Sequence, residues 1–490
     1  MKIINKIVKN MKLEQYKEIL KHLKIIIAGS EFENHLFSVG GCVRDELMGN
    51  EIKDIDLCID LPSGGINFAN WMETNHFTNG SVVTYPAYGT AMFKLSSFPD
   101  IELECVQTRK EQYHDESSRN PETAHGTIME DCMRRDLTIN ALYYDISNEK
   151  VLDLTGNGIK DIKEHRIRVT STPDIVYSDD PLRILRAVRF YSRFHGECSD
   201  WFIEEETLKG VYFNVDRLSI ITKERIADEL NKMLVCKDPV CAMKLLKDIG
   251  AMKYVIPELE ETYEMKQNEY HFGTVWEHTL KVLDNITKDW FWNDGNNILT
   301  VRMSALLHDI GKIKTRTVGE DGRIHFYCHE LASADLCDVI LRRLKYSNDF
   351  IKDVQFLVKN HMRTKQWGDD CSHMKDKSLH KFQYECGDKY YGMLLSLIDA
   401  DNKAHAPEHC LPNQCQKIDD RSAEMIWEKT DMRNYKLPID GNDVMRVKGL
   451  KPGREVKECL DYALKLAFNN PKMTKEEFLK YIKGYNIKKK

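Results

Sequence analysis

Asp54 and Asp56 stand in the stretch "KDIDLCID" with one apolar residue between them. Alternation along a strand puts both carboxylates on one face and Ile55 on the other. Two like charges that close are costly unless something positive sits between them, and such a pair suits a hard divalent cation such as Mg²⁺. Just upstream, Gly40-Gly41 in "SVGGCVRDEL" allows backbone N–H groups to approach phosphates, and Arg44 can neutralise one. Glu104, on the strand "IELECV", can reach the same cations as a third carboxylate. This combination favours in-line attack of a hydroxyl on a nucleoside triphosphate, with one metal lowering the hydroxyl pKa and another steadying the leaving pyrophosphate. A bare D-x-D reads more simply as the exposed face of an edge strand; the glycine turn, Arg44 and Glu104 shift that balance toward chemistry.

Two further groups could do chemistry. In "DDPLRILRAVRFYSRF", Asp180-Pro181 looks like an N-cap followed by proline at the first helical position. Arg183, Arg186, Arg189 and Arg193 then recur every three or four residues along one broad helical face. A carboxylate accepts from an exocyclic amine and a guanidinium donates to ring acceptors, so Asp180 with Arg183 is a sensible base reader. The second group is rich in histidine. His308-Asp309 lies in the apolar "ALLHDIGK", His278 precedes it, and His329, His361, Asp399 and Asp401 follow on later helices. Neutral imidazoles and carboxylates spread over a helical bundle make a mixed N/O metal site suited to activating water on a phosphoester.

The elements that position these residues change along the chain. Residues 12–30 read as an amphipathic helix leading into the strand "LFSVG". From there to Asp153 the pattern is α+β, with "DIDLCID", "SVVTYPAYGTAMFKL" and "IELECVQT" as strands and "INFANWMETN" as a helix between them. The polar, turn-rich segment 114–127 reads as a mobile loop. Strand signals largely stop after Asp153, and residues 174–260 and 271–405 read as helices. A Pro/Cys/Asn-rich stretch around 406–421 reads as a linker before a last helical part. The expected fold class is therefore α+β: an N-terminal head with a mixed sheet, followed by all-helical domains.

With 490 residues, 42% hydrophobic and 30% charged, the chain can bury several cores. A formal net charge of −6 argues against blanket nucleic-acid coating but leaves room for a local basic groove. The fourteen cysteines include no C-x-x-C pair, and the Lys-rich, interrupted N-terminus does not read as a secretory leader. Reduced thiols and a cytoplasmic location are expected. The longest apolar runs are far too short to span a bilayer.

These motifs together resemble a known family. "SVGGCVRDELMGNEIKDIDL" is similar to the head motif of the class II tRNA nucleotidyltransferases (CCA-adding enzymes) and the related bacterial poly(A) polymerases. "RRDLTINALYYD" (134–145), "DLTGNGIKDI" (153–162), "DDPLRILRAVRF" (179–190) and "KERIADEL" (223–230) look like the motifs that follow, in the same order. One departure is Asp179, where the family usually has Glu. The resemblance implies that Asp54 and Asp56 hold Mg²⁺ with Glu104 beside them, and that Gly40, Gly41 and Arg44 contact the triphosphate. It further implies that Arg134 and Asp136 sit by the phosphates and ribose, that Asp180 and Arg183 pair with the base of CTP or ATP, and that Arg186 and Arg189 support that helix and the phosphates. "LLHDIGK", with "EHTL" upstream and "DADNKA" downstream, resembles the HD phosphohydrolase superfamily. The implied ligands of its divalent metal are His278, His308, Asp309 and Asp401, with Asp399 as an alternative to Asp401; His329 and His361 could bind a second metal.

The expected organisation is a nucleotidyltransferase head over 1–153, a helical neck and body over 154–265, an HD domain over 266–405 and a helical tail over 406–490. The tail stretch "LPIDGNDVMRVKGLKPGREVKECL" resembles the part that grips tRNA by shape and phosphate contacts. "RRLK" (342–345) and the terminal "KKK" offer further cations. The expected function is addition or repair of the 3′-terminal CCA of tRNA from CTP and ATP, with HD chemistry on RNA ends beside it. The rivals are a poly(A) polymerase or an enzyme adding only CC or only A, a phosphohydrolase with an inactive head, and a non-catalytic RNA-binding protein.

Overall fold

A computed structural model describes residues 11–86, 89–112, 122–271, 273–287 and 297–487. The chain divides into two compact units, Met1–Val255 and Ile256–Lys490. The terminal "KKK" and most of the expected loop (residues 114–121) lie outside the described residues.

The first unit begins with α1 (Leu13–Ile27), whose Tyr16, Ile19, Leu20, Leu23 and Ile27 recur at helical spacing and are buried. Seven strands form one sheet: β1 (Leu36–Val39), β2 (Ile55–Ile59), β3 (Val83–Tyr85), β4 (Thr90–Leu95), β5 (Phe98–Gln107), β8 (Tyr143–Asp145) and β9 (Lys150–Leu152). Their order is β3-β4-β5-β2-β1-β8-β9. β2 and β5 run parallel; the other neighbours are antiparallel. A separate hairpin joins β6 (Arg109–Gln112) to β7 (Glu122–His125). Residues 122–125 of the segment expected as a loop are thus a strand, because β6 supplies the backbone partners that a polar sequence does not advertise. Thr127 then opens α4 (Ile128–Met133) with a reciprocal capping box to Glu130.

The sheet is covered on both faces. Leu36, Ile55, Leu57 and Ile59 join α1 and α3 (Gly64–Thr74) in the larger core, with Phe32, Phe68 and Phe93. Phe37, Val39, Cys58 and Tyr143 pack on the other side with Cys132 and Ala141. Each large apolar side chain buried in this way contributes about 1.5–3 kcal/mol relative to exposure, so the strand register is strongly specified. Between β1 and β2 lies α2 (Gly41–Leu47). After β9 come α5 (Gly158–Lys163), α6 (Pro173–Asp179), α7 (Leu182–His195), α8 (Glu205–Asn214), α9 (Lys223–Leu234), α10 (Pro239–Asp248) and α11 (Met252–Val255), with one two-residue parallel strand pair, β10 (Arg166–Ile167) and β11 (Phe202–Ile203).

The second unit is helical apart from the short pair β12 (Thr317–Val318) and β13 (Ile324–His325). Its helices are α12 (Val275–Thr287), α13 (Ile298–Leu307), α14 (Lys312–Thr315), α15 (His329–Arg343), α16 (Asn348–Asn360), α17 (Asp376–Ala404), α18 (Gln414–Trp427), α19 (Gly441–Lys448), α20 (Arg454–Asn469) and α21 (Lys475–Gly484). α17 breaks at Gly387, whose φ of 57° suits glycine.

The second half of the stretch 406–421, expected as a linker, is instead the start of α18, packed on α17. Gln414 is fully buried there: its Oε1 accepts from Thr364 Oγ1 (2.7 Å) and Asn402 Nδ2 (3.1 Å), and its Nε2 donates to the carbonyls of Thr364 and Gly368. Its partners are distant in sequence, so a satisfied polar core residue looks like loop composition. A separate apolar core begins only at Met432 and runs through Val444, Cys459, Ala463, Phe468, Phe478 and Ile482. Among the described residues, no helix is long and apolar enough to cross a membrane.

Candidate active site

Parallel pairing of β2 and β5 sets Asp56 directly opposite Glu104, and Asp54 lies one residue before β2. Ile55 between the two aspartates is fully buried in the core, so Asp54 and Asp56 share the other face. Burial, then the charges of Asp54 and Glu104, push the Asp56 carboxyl up to about 7, against the pull of Arg135. Glu104 is raised as well, by burial and by Asp54. Three acids in mutual repulsion are short of positive charge, and oxygen-only donors of this kind fit a hard divalent cation.

Beside them, Gly40 adopts a left-handed φ of +79° and donates its N–H to the Leu142 carbonyl (3.0 Å). A Cβ on Gly40 would sit 3.6 Å from Nη1 of Arg135. Arg135 therefore stands at the glycine turn and acts on Asp56 electrostatically. Sequence reasoning passes over it in favour of Arg134; the paired arginines of "RRD" are the available signal. Nε and Nη2 of Arg135 donate to Asp131 Oδ2 (3.2 and 3.0 Å), while Arg134 uses the same two groups on Asp131 Oδ1. Asp131, also missed from sequence, is completely buried; burial would raise its carboxyl, but Arg135 and Arg134 hold it down at about 2.

Arg44, expected at the triphosphate, borders the glycine turn: a Cβ on Gly41 would sit 3.6 Å from its Nη2. It is buried, with Nε and Nη2 each 2.9 Å from an oxygen of Asp45, and Nη1 donates to Asn140 Oδ1. Its guanidinium lies 5.2 and 5.4 Å from the rings of Phe190 and Phe194 of α7. The side chain pins α2 against α7, and Arg44 and Arg135 both stand beside the Gly40-Gly41 turn. Asp136 accepts from Leu137 N–H and Asn140 Nδ2 on one oxygen and from Arg186 Nε (2.7 Å) on the other. Burial opposes this, yet the Arg186 guanidinium holds its carboxyl at about 2.

The arginines of α7 do lie along one side, and each is tied to another element. Arg183 donates to the carbonyls of Val176 (3.1 Å) and Arg134 (2.8 Å), Arg186 to Asp136, Arg189 to Glu229 (2.6 Å), and Arg193 to Asp45 (3.4 Å). Arg183, expected to face the base, is only 8% exposed. Asp180 has a different guanidinium partner, Arg225 of α9, at 2.7 Å. The cap is also shifted by one residue: Pro181 takes the N-cap position and the Asp180 side chain accepts from Leu182 N–H (3.1 Å).

In the second unit the helices bring the singled-out histidines together. His308, His329 and His361 each set Nδ1 on the carbonyl three residues back (Ala305, Phe326 and Val358, at 2.7–2.9 Å), which aims Nε2 inward. Nε2 of His278 lies 3.1 Å from Asp401 Oδ1, 3.3 Å from Nε2 of His308 and 3.5 Å from Asp309 Oδ2. His329 and His361 approach the other oxygen of Asp309 at 3.1 and 3.9 Å. His278, His308 and Asp309 form one group with metal-ligand spacing, and Asp309, His329 and His361 a second. Asp399 pairs instead with Lys403, so Asp401 is the acid that joins the cluster.

Burial lowers His278 to about 4 and His361 to about 3, keeping both imidazoles neutral with a lone pair to offer. Burial would raise Asp309 and Asp401, but His308 and Lys312 outweigh it at Asp309, and Lys365 and His405 at Asp401, so both are held well below the usual carboxylate range. Lys312 Nζ is 2.7 Å from Asp309 and Lys365 Nζ is 2.9 Å from Asp401. Sequence reasoning misses both lysines; Lys312 is visible in "HDIGK". A further half-buried set, His195, Asp238 and Cys241, is accounted for locally, since Asp238 caps α10 through Cys241 N–H and pairs with His195.

A mixed sheet with Asp56 and Glu104 at one register and Asp54 beside them, a glycine turn and a neck arginine set define a nucleotidyltransferase with a separate HD site. Residues 36–168 match the poly A polymerase head domain, 201–262 the probable RNA and SrmB-binding site of polymerase A, and 275–400 the HD domain. The chain is 33% identical to the CCA-adding enzyme of Limosilactobacillus reuteri over 451 residues, covering 90% of this chain and 91% of that one. It is 26% identical to tRNA nucleotidyltransferase cca1 of Schizosaccharomyces pombe over 484 residues, covering 90% and 89%. The solved Bacillus stearothermophilus CCA-adding enzyme in complex with CTP superposes with a TM-score of 0.66 at 18% identity, over 95% of this chain and 96% of that one, and so shares the fold. The chain belongs to the class II CCA-adding enzymes, the tRNA nucleotidyltransferases.

Proposed function

We propose that this protein builds or repairs the 3′-CCA end of tRNA from CTP and ATP, with release of pyrophosphate. The observation that carries the reading is the convergence of Asp54, Asp56 and Glu104 beside the Gly40 turn and Arg135. Asp54 and Asp56, with Glu104, would hold Mg²⁺, which supplies an acidified 3′-hydroxyl and charge neutralisation on the departing pyrophosphate. The Gly40-Gly41 turn, with Arg44 and Arg135 beside it, would receive the triphosphate. Arg134 and Asp136 would sit by the phosphates and ribose, and Asp180 with Arg183 would pair with the base edge of CTP or ATP. The relatives named CCA-adding enzymes support addition of all three nucleotides, while one at 26% identity, from Thermus thermophilus, is a CC-adding tRNA nucleotidyltransferase.

The HD site supports a second activity, hydrolysis of phosphate esters at RNA ends. His278, His308, Asp309 and Asp401 would hold one divalent metal, with His329 and His361 toward a second; the metal would supply an activated water. Lys312 and Lys365 would offset phosphate charge. The tail from Met432 and the basic "RVKGLKPGR" would contact tRNA phosphates, so binding should weaken as salt rises. A reducing compartment such as the cytoplasm suits fourteen free thiols.

The test is incubation of tRNA transcripts lacking the last three, two or one nucleotides with CTP and ATP separately and together. Addition of C to the shortest, and of A only after CC, is expected. A growing A-ladder on generic RNA with ATP alone would make it a poly(A) polymerase, and addition that stops at CC would make it a partial enzyme.

A further inference from the structure

The base-selecting carboxylate has a support outside its own motif. We propose that Arg225 of α9 is a positioning residue that fixes the Asp180 carboxylate for nucleotide selection; this rests on the reading of Asp180 as the base-facing acid. Asp180 is held at two points. Its Oδ1 accepts from the Leu182 N–H at 3.1 Å, and its Oδ2 accepts from Arg225 Nη2 at 2.7 Å. Two anchors on opposite oxygens restrict both side-chain torsions, which a single anchor cannot do.

Arg183 is anchored on backbone carbonyls. It is buried, and Nη1 and Nη2 donate to the carbonyls of Val176 and Arg134, tying α7 to α6 and to the end of α4. Arg225 is well founded too. Ile226, Leu230, Met233 and Leu234 bury one face of α9, which packs on α7, and Glu229 of α9 accepts from Arg189 of α7 at 2.6 Å. The Arg225 and Asp180 side chains remain 43% and 24% exposed, so the pair faces open space where a base edge can enter.

The chemistry follows from what the base presents. Cytosine and adenine carry an exocyclic amine that donates to a carboxylate; uracil and guanine carry a carbonyl there, which a fixed carboxylate repels. A carboxylate free to rotate can turn away from a carbonyl, so discrimination falls while binding of the triphosphate is kept. Arg225 therefore acts on selection more than on turnover.

The experiment uses the full chain with tRNA transcripts ending just before CCA, for CTP against UTP, and ending in CC, for ATP against GTP. Arg225→Ala should lower the ratios of kcat/KM by about tenfold, chiefly through lower KM for UTP and GTP. Because the contact is a single N–H···O bond, Arg225→Lys should recover a substantial part of that ratio, and Tm should stay within a few degrees of the parent for both variants. Wild-type ratios in an active Arg225→Ala enzyme would overturn the inference, as would equal loss in both variants together with a large fall in Tm. A parent protein that adds no C to any transcript would overturn the proposed function itself.

Discussion

At the head, Asp56 faces Glu104 across parallel strands with Asp54 beside it, and burial together with those two charges lifts the Asp56 carboxyl to about 7. In the second unit Asp309 and Asp401 are buried more deeply, yet both are held well below the carboxylate range by lysines and histidines at 2.7–3.2 Å. Both sites collect acids, and they differ in where the compensating charge comes from. The HD cluster carries its own cations, so its charge is balanced before any metal binds. The head acids have Arg135 as one nearby guanidinium and otherwise depend on a cation from outside. A structural role favours internal balance, whereas three acids left in mutual repulsion cost stability and are best explained by chemistry.

Substitution of the acids should separate the two sites most clearly. Asp309→Ala leaves Lys312, His308 and His329 facing one another without their anion, and the second unit should lose on the order of 4 kcal/mol, read by denaturant unfolding. Lys365→Met, which uncovers Asp401, should cost about 3 kcal/mol without divalent metal and recover most of it when Mn²⁺ is added. A loss that Mn²⁺ does not restore would mean that Asp401 is held for packing alone. Arg186→Gln, which strips Asp136 of its ion partner in the first unit, should cost roughly 2 kcal/mol. Glu104→Gln relieves repulsion at the head and should leave stability unchanged or raise it by up to about 1 kcal/mol, the opposite sign from Asp309→Ala.

The pH dependence has a definite sign at Asp136. Its folded carboxyl is depressed to about 2 from 3.8, so its contribution to stability is present above about pH 4 and is lost as pH falls through about 2. The stability gap between the parent and Asp136→Asn should therefore close on acidification over that window, by about 1.4 kcal/mol for each pH unit. A gap that stays constant down to pH 2 would mean that Asp136 acts through its hydrogen bonds to Leu137 and Asn140 rather than through Arg186.

Much of the head is legible because its signals are local. Alternation around Ile55 places Asp54 and Asp56 on one face, and "IELECV" sets Glu104 on the neighbouring strand. The histidine cluster is legible by residue type, and geometry then separates Asp401 from Asp399, which sequence spacing cannot do. What stays hidden is pairing over distance. Nothing near Arg44 announces that Asn140 and two rings of α7 enclose it, and nothing near Asp180 points to a partner 45 residues later on α9. A regular row of arginines on α7 looks like a ligand-facing stripe, but their partners Asp45, Asp136 and Glu229 come from other elements. Likewise Gln414 reads as linker because its four bonds all reach to residues that lie elsewhere in the chain.

The most direct test of the head as the seat of transfer is Asp56→Asn assayed for CTP incorporation into a tRNA transcript lacking CCA, over a Mg²⁺ titration and beside a Tm measurement. Removing one acid from a metal-holding set forfeits several kcal/mol of transition-state stabilisation, so incorporation should fall by about 10³-fold or more at every Mg²⁺ concentration, with Tm unchanged or raised. Incorporation within about tenfold of the parent would contradict the assignment of the paired aspartates to catalysis.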